Sequence, residues 1–139
     1  MKNILVDANI FLEFFLGQEK ADLCGELLKM FDRGEYNGFV STFTVDSVLL
    51  GMFRNKTTFQ QMRDFLRGVL QSKGFQMYEP TFKDRFGALD LMKKQGLDYE
   101  DALTLQAALS CGCKQILSFD IHFDGVKGVE RVEGFSEKS

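Results

Sequence analysis
The chain has 139 residues, 45% hydrophobic and 27% charged, the size and balance of one soluble globular domain able to bury its own core. A net charge of −3 argues against nucleic-acid binding through a basic surface, and a single Pro argues against disordered linkers and a loop-rich all-β fold. Three cysteines, Cys24, Cys111 and Cys113, form no disulfide framework or zinc knuckle and read as reduced, small packing groups. No stretch approaches the roughly 20 apolar residues of a membrane span, no signal peptide is visible, and the expected location is cytoplasmic.

In chain order, residues 3–6 read as a short buried strand. Residues 8–16 carry Ile10, Phe11, Phe14 and Phe15 at helical spacing, with Gly17 as a stop. A second helix spans about 19–32 and ends at Gly34. Gly38-Phe39-Val40 with Ser41 reads as the second strand. Ser41 or Thr42 caps a third helix running to about 53. Thr57 or Thr58 caps a fourth, with Phe59, Met62, Leu66, Val69 and Leu70 on its apolar side. Phe75-Gln76-Met77-Tyr78 alternates as a strand does. A fifth helix is expected to use Phe82, Phe86, Leu89 and Leu91-Met92 as apolar positions before Gly96. A sixth runs from about Tyr99 to Ser110, with Gly112 behind it. Strands at 115–118 and 129–132 follow, and 134–139 is a polar tail expected to fray.

Strands alternating with helices predict an α/β fold, a parallel sheet with helices on both faces. Residues 1–139 read as one domain, with 42–72 as a helical hairpin beside the sheet.

Two of the predicted strands lead to an aspartate. Ile4-Leu5-Val6 runs into Asp7, and Ile116-Leu117 leads through Ser118 to Asp120. In a parallel sheet both carboxylates reach the carboxyl edge, where open α/β sheets bind ligands. Asp101 opens the sixth helix. Any one of these acids is explained by a favourable helix dipole; three at one sheet edge call for a cation. Asn9 can cap the first helix, orient Asp7, or do both. Ser118 is placed to hydrogen-bond a carboxylate or to serve as a structural hydroxyl. Asp124 is near enough to act as an outer ligand, though loop aspartates commonly form turns.

His122 is the only histidine, which excludes a zinc centre of the usual kind and leaves a serine or cysteine hydrolase without a partner for its base. No Gly-rich phosphate loop is present. Carboxylates remain, and they suit Mg²⁺ or Mn²⁺. An aspartyl phosphohydrolase with Asp7 as nucleophile would want a second acid where Asn9 stands.

The ordered set Leu5-Val6-Asp7-Ala8-Asn9, Ser41-Thr42-Phe43-Thr44-Val45, Leu97-Asp98-Tyr99-Glu100-Asp101-Ala102-Leu103 and Ile116-Leu117-Ser118-Phe119-Asp120 resembles the PIN-domain ribonucleases, including the VapC-type toxins of toxin–antitoxin pairs. The resemblance implies a three-layer α/β sandwich and an acidic site for Mg²⁺ or Mn²⁺. Asp7, Asp101 and Asp120 carry over as metal-holding acids. The family's fourth acid is a Glu on the third helix, and its place falls on Ser47, with Asp46 one residue earlier. One residue is about 100° of helical rotation, so Asp46 reaches the site only through a shifted helix start or a longer water bridge, and otherwise Ser47 faces it.

Arg54 and Lys56 lie between the third and fourth helices, and Arg63 and Arg67 share one face of the fourth. They are candidates for a phosphate-contacting rim, or form a solvated face. The expected function is metal-dependent endoribonuclease activity, and the resemblance implies a toxin with an antitoxin partner, in a homodimer. The alternative is a catalytically weakened module that binds RNA or a protein.

Overall fold
Ile4, Leu5 and Val6 are all fully buried, because the strand they form has helices above and below it. The computed structural model describes residues 2–135. Strand β1 (Asn3–Val6) leads into α1 (Ala8–Phe15) and α2 (Ala21–Asp32). Next come β2 (Asn37–Ser41), α3 (Thr42–Arg54), α4 (Phe59–Gln71) and β3 (Phe75–Tyr78). Then follow α5 (Phe82–Gln95), α6 (Tyr99–Ser110) and β4 (Gln115–Leu117). A 3-10 turn (Ile121–Phe123) and β5 (Glu130–Val132) close the fold.

The five strands make one parallel sheet in the order β3-β2-β1-β4-β5. Period-two alternation splits β1 between two cores. Ile4 and Val6 join Ile10, Phe11, Leu27, Phe31, Met52 and Phe65 from α1 to α4. Leu5 joins Ala88, Ala102, Leu105 and Ile116 on the α5–α6 side. The result is the expected three-layer α/β sandwich. The chain builds outward from β1 through β2 to β3 and then returns to place β4 on the other flank of β1. That reversal puts a topological switch point between the carboxyl ends of β1 and β4.

Two expectations change. Phe82, Phe86 and Leu89 do not face the core: Phe82 is 80% and Phe86 71% exposed. The inner face of α5 belongs instead to Asp84 and Ala88. Asp84 is only 4% exposed, accepts from the Tyr78 hydroxyl, from Ser110 Oγ at 2.6 Å and from Thr81 N at 2.9 Å, and so fixes the rotation of α5 against α6. Burial opposes its ionisation, but the Ser110, Tyr78 and Thr81 hydrogen bonds outweigh burial and hold the carboxyl down at about 2. The second change concerns the tail. Phe135 stacks on Tyr36 at 4.1 Å and closes over the core, while 136–139 fall outside the described residues.

Among the described residues no helix is long and apolar enough to cross a membrane. Cys24 and Cys113 are buried and Cys111 partly so, all as free thiols.

Replacing Asp84 by Ala leaves the Ser110, Tyr78 and Thr81 donors without their acceptor. The expected loss is about 2–3 kcal/mol of unfolding free energy in a denaturant titration. A loss below about 0.5 kcal/mol would show that the carboxylate does not hold α5 in place.

Candidate active site
The switch point collects the acids. β1 and β4 are in parallel register with Val6 opposite Leu117, and Asp7 N donates to Leu117 O at 3.1 Å. Asp7 is the N-cap of α1: its backbone is extended and its Oδ1 accepts from Ala8 N at 2.8 Å. Capping therefore falls to Asp7 itself, and Asn9 is left to orient. Asn9 Nδ2 donates toward Asp7 Oδ2 at 3.2 Å, and its Oδ1 accepts from Phe119 N at 3.2 Å.

Ser118 is completely buried, and its hydroxyl joins the two strand ends. Oγ donates to Asp7 Oδ2 at 2.7 Å and accepts from Asp120 N at 3.0 Å and from Asn9 Nδ2 at 3.1 Å. Arg131 on β5 supports this turn from behind, donating to the Ser118 carbonyl at 3.1 Å.

Asp101 comes from the first turn of α6. Asp98 caps that helix, accepting from Asp101 N at 2.8 Å, so the Asp101 side chain is free to reach the β4 turn. There it meets His122: Nδ1 is 3.1 Å from Asp101 Oδ2 and 3.2 Å from Asp120 Oδ1. The candidate donor atoms of Asp101, Asp120 and His122 all lie within 4.8 Å of one another. His122, which sequence alone excludes from a zinc centre, thus stands among the acids. Its one available signal was its place two residues after Asp120, where a tight turn brings both side chains to the same side.

The profile of the PIN domain family matches residues 4–129. The chain belongs to the PIN domain family. No curated protein matches the sequence. Among solved structures, the Mycobacterium tuberculosis toxin VapC20, described as cleaving the sarcin–ricin loop, superposes on this PIN domain with a TM-score of 0.70. The two are 12% identical, and the match covers 84% of this chain and 89% of that one. A toxin–antitoxin complex from Klebsiella pneumoniae gives 0.67 at 19% identity, covering 91% and 95%. VapBC2 of Rickettsia felis, bound to a DNA fragment from its promoter, gives 0.69 at 13% identity, covering 94% and 97%. At such identities the likeness is one of fold.

The other predicted residues of this PIN domain lie elsewhere. Asp46 is exposed on α3 and makes no hydrogen bond or ion pair among the described residues. Ser41 is the N-cap, with Oγ accepting from Phe43 N at 3.2 Å, so the helix start is not shifted. Thr44, Val48 and Met52 hold the inner face, and Asp46 is turned about 200° from Thr44 and Val48. Ser47 is half-buried and likewise makes no hydrogen bond among the described residues. Asp124 is engaged by Arg131, at 2.7 Å to Nε and 3.4 Å to Nη2, and stands apart from the acids. Arg54 ends α3, about 18 Å along the axis from its first residue. Lys56 occupies the following turn, and Arg63 and Arg67 are exposed on α4, Arg67 lying 3.8 Å from Asp64. None of the four pairs with Asp7, Asp101 or Asp120.

Burial raises Asp7 from 3.8 to about 6, against the hydrogen bonds of Ser118 and Ala8 and with help from the charges of Asp120 and Glu100. Burial, followed by the charge of Asp120, raises Asp101 to about 6 as well. His122 is raised by its hydrogen bond to Asp101 and the charge of Asp120. No Lys or Arg among the described residues pairs with the three acids. Carboxylate oxygens, one imidazole and no resident cation other than that imidazole fit a divalent ion.

All three shifts have the same sign. The native state holds more protons than the unfolded chain, so metal-free stability falls as pH rises from about 4 to 6 through the two aspartates, and the raised His122 extends the fall above 6.5. Asp84 titrates well below this window and does not contribute. Melting temperatures in chelator are expected to drop over that range, and Asp7→Asn is expected to flatten the slope. A rise with pH, or a slope unchanged in the variant, would contradict the electrostatic assignment.

Proposed function
We propose that this PIN domain is a metal-dependent endoribonuclease, with residues 1–139 acting as a single unit. The observation that carries the reading is that Asp101 and Asp120 cluster with His122 at the β1–β4 switch point, where Asp7 feels the charge of Asp120 and no Lys or Arg among the described residues pairs with the acids. Asp7, Asp101 and Asp120 would hold Mg²⁺ or Mn²⁺. Such an ion would supply Lewis acidity and lower the pKa of water, the chemistry that phosphodiester hydrolysis needs.

The chain's own groups do the rest. Ser118 and Asn9 fix the Asp7 carboxylate in one rotamer, and the Asp7 cap interaction takes up its other oxygen. His122 N–H donates to Asp120 Oδ1 at 2.9 Å and steadies the second strand-end acid. Asp98, by capping α6, leaves Asp101 aimed at the same place. Arg54, Lys56, Arg63 and Arg67 would meet RNA several nucleotides from the scissile phosphate.

The likeness to VapC20 and to two toxin–antitoxin assemblies supports a toxin role with an antitoxin partner, in the cytoplasm. The exposed stripe Phe82, Phe86 and Leu89 supports a homodimer through α5. In an antiparallel pair of these helices, centred between Phe86 and Gly87, Lys83 of each copy falls opposite Asp90 of the other. Phe86→Asp is expected to shift the mass measured by light scattering from dimer to monomer. A monomeric parent protein, or a dimeric variant, would rule that interface out.

Asp7→Asn is expected to lower RNA cleavage by about a hundredfold or more while leaving the circular dichroism spectrum unchanged. Undiminished cleavage would sink the reading. A second reading is favoured by the exposed position of Asp46, which leaves α3 without an acid at the site: a weakened module that binds RNA or a protein partner. Tight RNA binding without cleavage at saturating Mg²⁺ and Mn²⁺ would establish it.

A further inference from the structure
We infer that His122 is itself a ligand of the divalent ion, and that its nitrogen biases the site toward Mn²⁺ over Mg²⁺. This rests on the metal-dependent reading above and goes beyond its set of aspartates.

The placement of His122 is built rather than incidental. Its side chain is 66% exposed, yet the turn that carries it is pinned on both sides. Phe123 is buried in the α5–α6 core, and Asp120 Oδ1 accepts from His122 N at 2.9 Å. Nδ1 stands 3.1 Å from Asp101 Oδ2 and 3.2 Å from Asp120 Oδ1. Neighbouring ligands of a six-coordinate ion with bonds of about 2.1 Å are separated by about 3.0 Å. Nδ1 therefore already stands at adjacent-ligand spacing from each carboxylate oxygen, and all three donor atoms lie within 4.8 Å of one another, so one ion would reach all three.

The chemistry of the donors sets the preference. Mg²⁺ favours oxygen ligands and gives up its waters reluctantly, whereas imidazole suits first-row transition ions. Mn²⁺ accepts both the carboxylates and the nitrogen. A neutral imidazole also adds a donor without adding negative charge to a cluster whose acids already repel one another.

The test uses Mn²⁺ and Mg²⁺ alone, without RNA. Mn²⁺ binding is followed by electron paramagnetic resonance, and Mg²⁺ by competition. The full chain is expected to prefer Mn²⁺ and to show nitrogen hyperfine coupling in the pulsed spectrum. His122→Gln is expected to lose that coupling and to reduce the Mn²⁺-over-Mg²⁺ preference by about tenfold or more. Mn²⁺ binding without nitrogen coupling in the parent protein overturns the inference and leaves the ribonuclease reading standing. So does an equal change in both affinities in the variant. Failure of the parent protein to bind either ion at neutral pH removes both.

Discussion
The hydroxyl of Ser118 is the contact on which the site depends. It donates to the Asp7 carboxylate and receives the Asp120 backbone N–H and the Asn9 amide, so one buried oxygen links the ends of β1 and β4. That junction exists only because the two strands are neighbours, and they are neighbours only because the chain reverses its order of addition at β1. Arg131 extends the dependence by one strand: it holds the Ser118 carbonyl from β5 while pairing with Asp124 and Glu133. The outermost strand thus steadies a turn whose chemistry lies two strands away.

The same junction is electrostatically costly. Its hydrogen bonds favour ionised Asp7, but burial dominates and lifts the carboxyl to about 6. The fold spends stability elsewhere to hold these acids together, through two apolar cores and the Asp84 clamp. The contrast between Asp84 and Asp7 is instructive. Asp84 is the more deeply buried by exposed area, yet four donors, from Tyr78, Thr81, Ser110 and Gln106, surround it and it stays low. At Asp7 burial outweighs the donors, the charges of Asp120 and Glu100 add to it, and the carboxyl rises. One buried carboxylate is structural because its donors satisfy it; the other remains open to a cation.

Much of the architecture was legible because it is written in local periodicity. The buried run Ile4-Val6, the Ser41 and Thr58 caps and the glycines closing α1, α2 and α6 are short-range signals, and each predicted strand and helix has its counterpart. Two local signals misled. Phe82, Phe86 and Leu89 have core spacing, but a buried polar network at Asp84 outweighs them and turns α5 the other way. Phe135 lies in a polar tail but packs through a long-range stack on Tyr36. Three strand-end and helix-end acids could be read from position. His122 could not, because its role depends on Asp101 arriving from an element 21 residues earlier in sequence.

The departure on α3 makes sense once the charges are considered together. Ser41 caps that helix and fixes its rotation, which turns Asp46 to solvent and leaves the α3 side of the site without a carboxylate. A fourth acid there would add another negative charge to a group in which Asp7 and Asp101 are already raised to about 6. His122 enters from the opposite side, on a turn anchored by Phe123, and offers a donor with no such penalty. In the metal-free protein its protonated form is drawn toward Asp101 and Asp120, a partial counterion where the ion would lie. One residue thereby relieves the acids in the metal-free site and, on the proposed ligation, would complete the donor set of a bound ion. On that proposal the absence of a carboxylate from the α3 side would bear on which ion suits the site, while Asp7, Asp101 and Asp120 stay at the strand and helix ends.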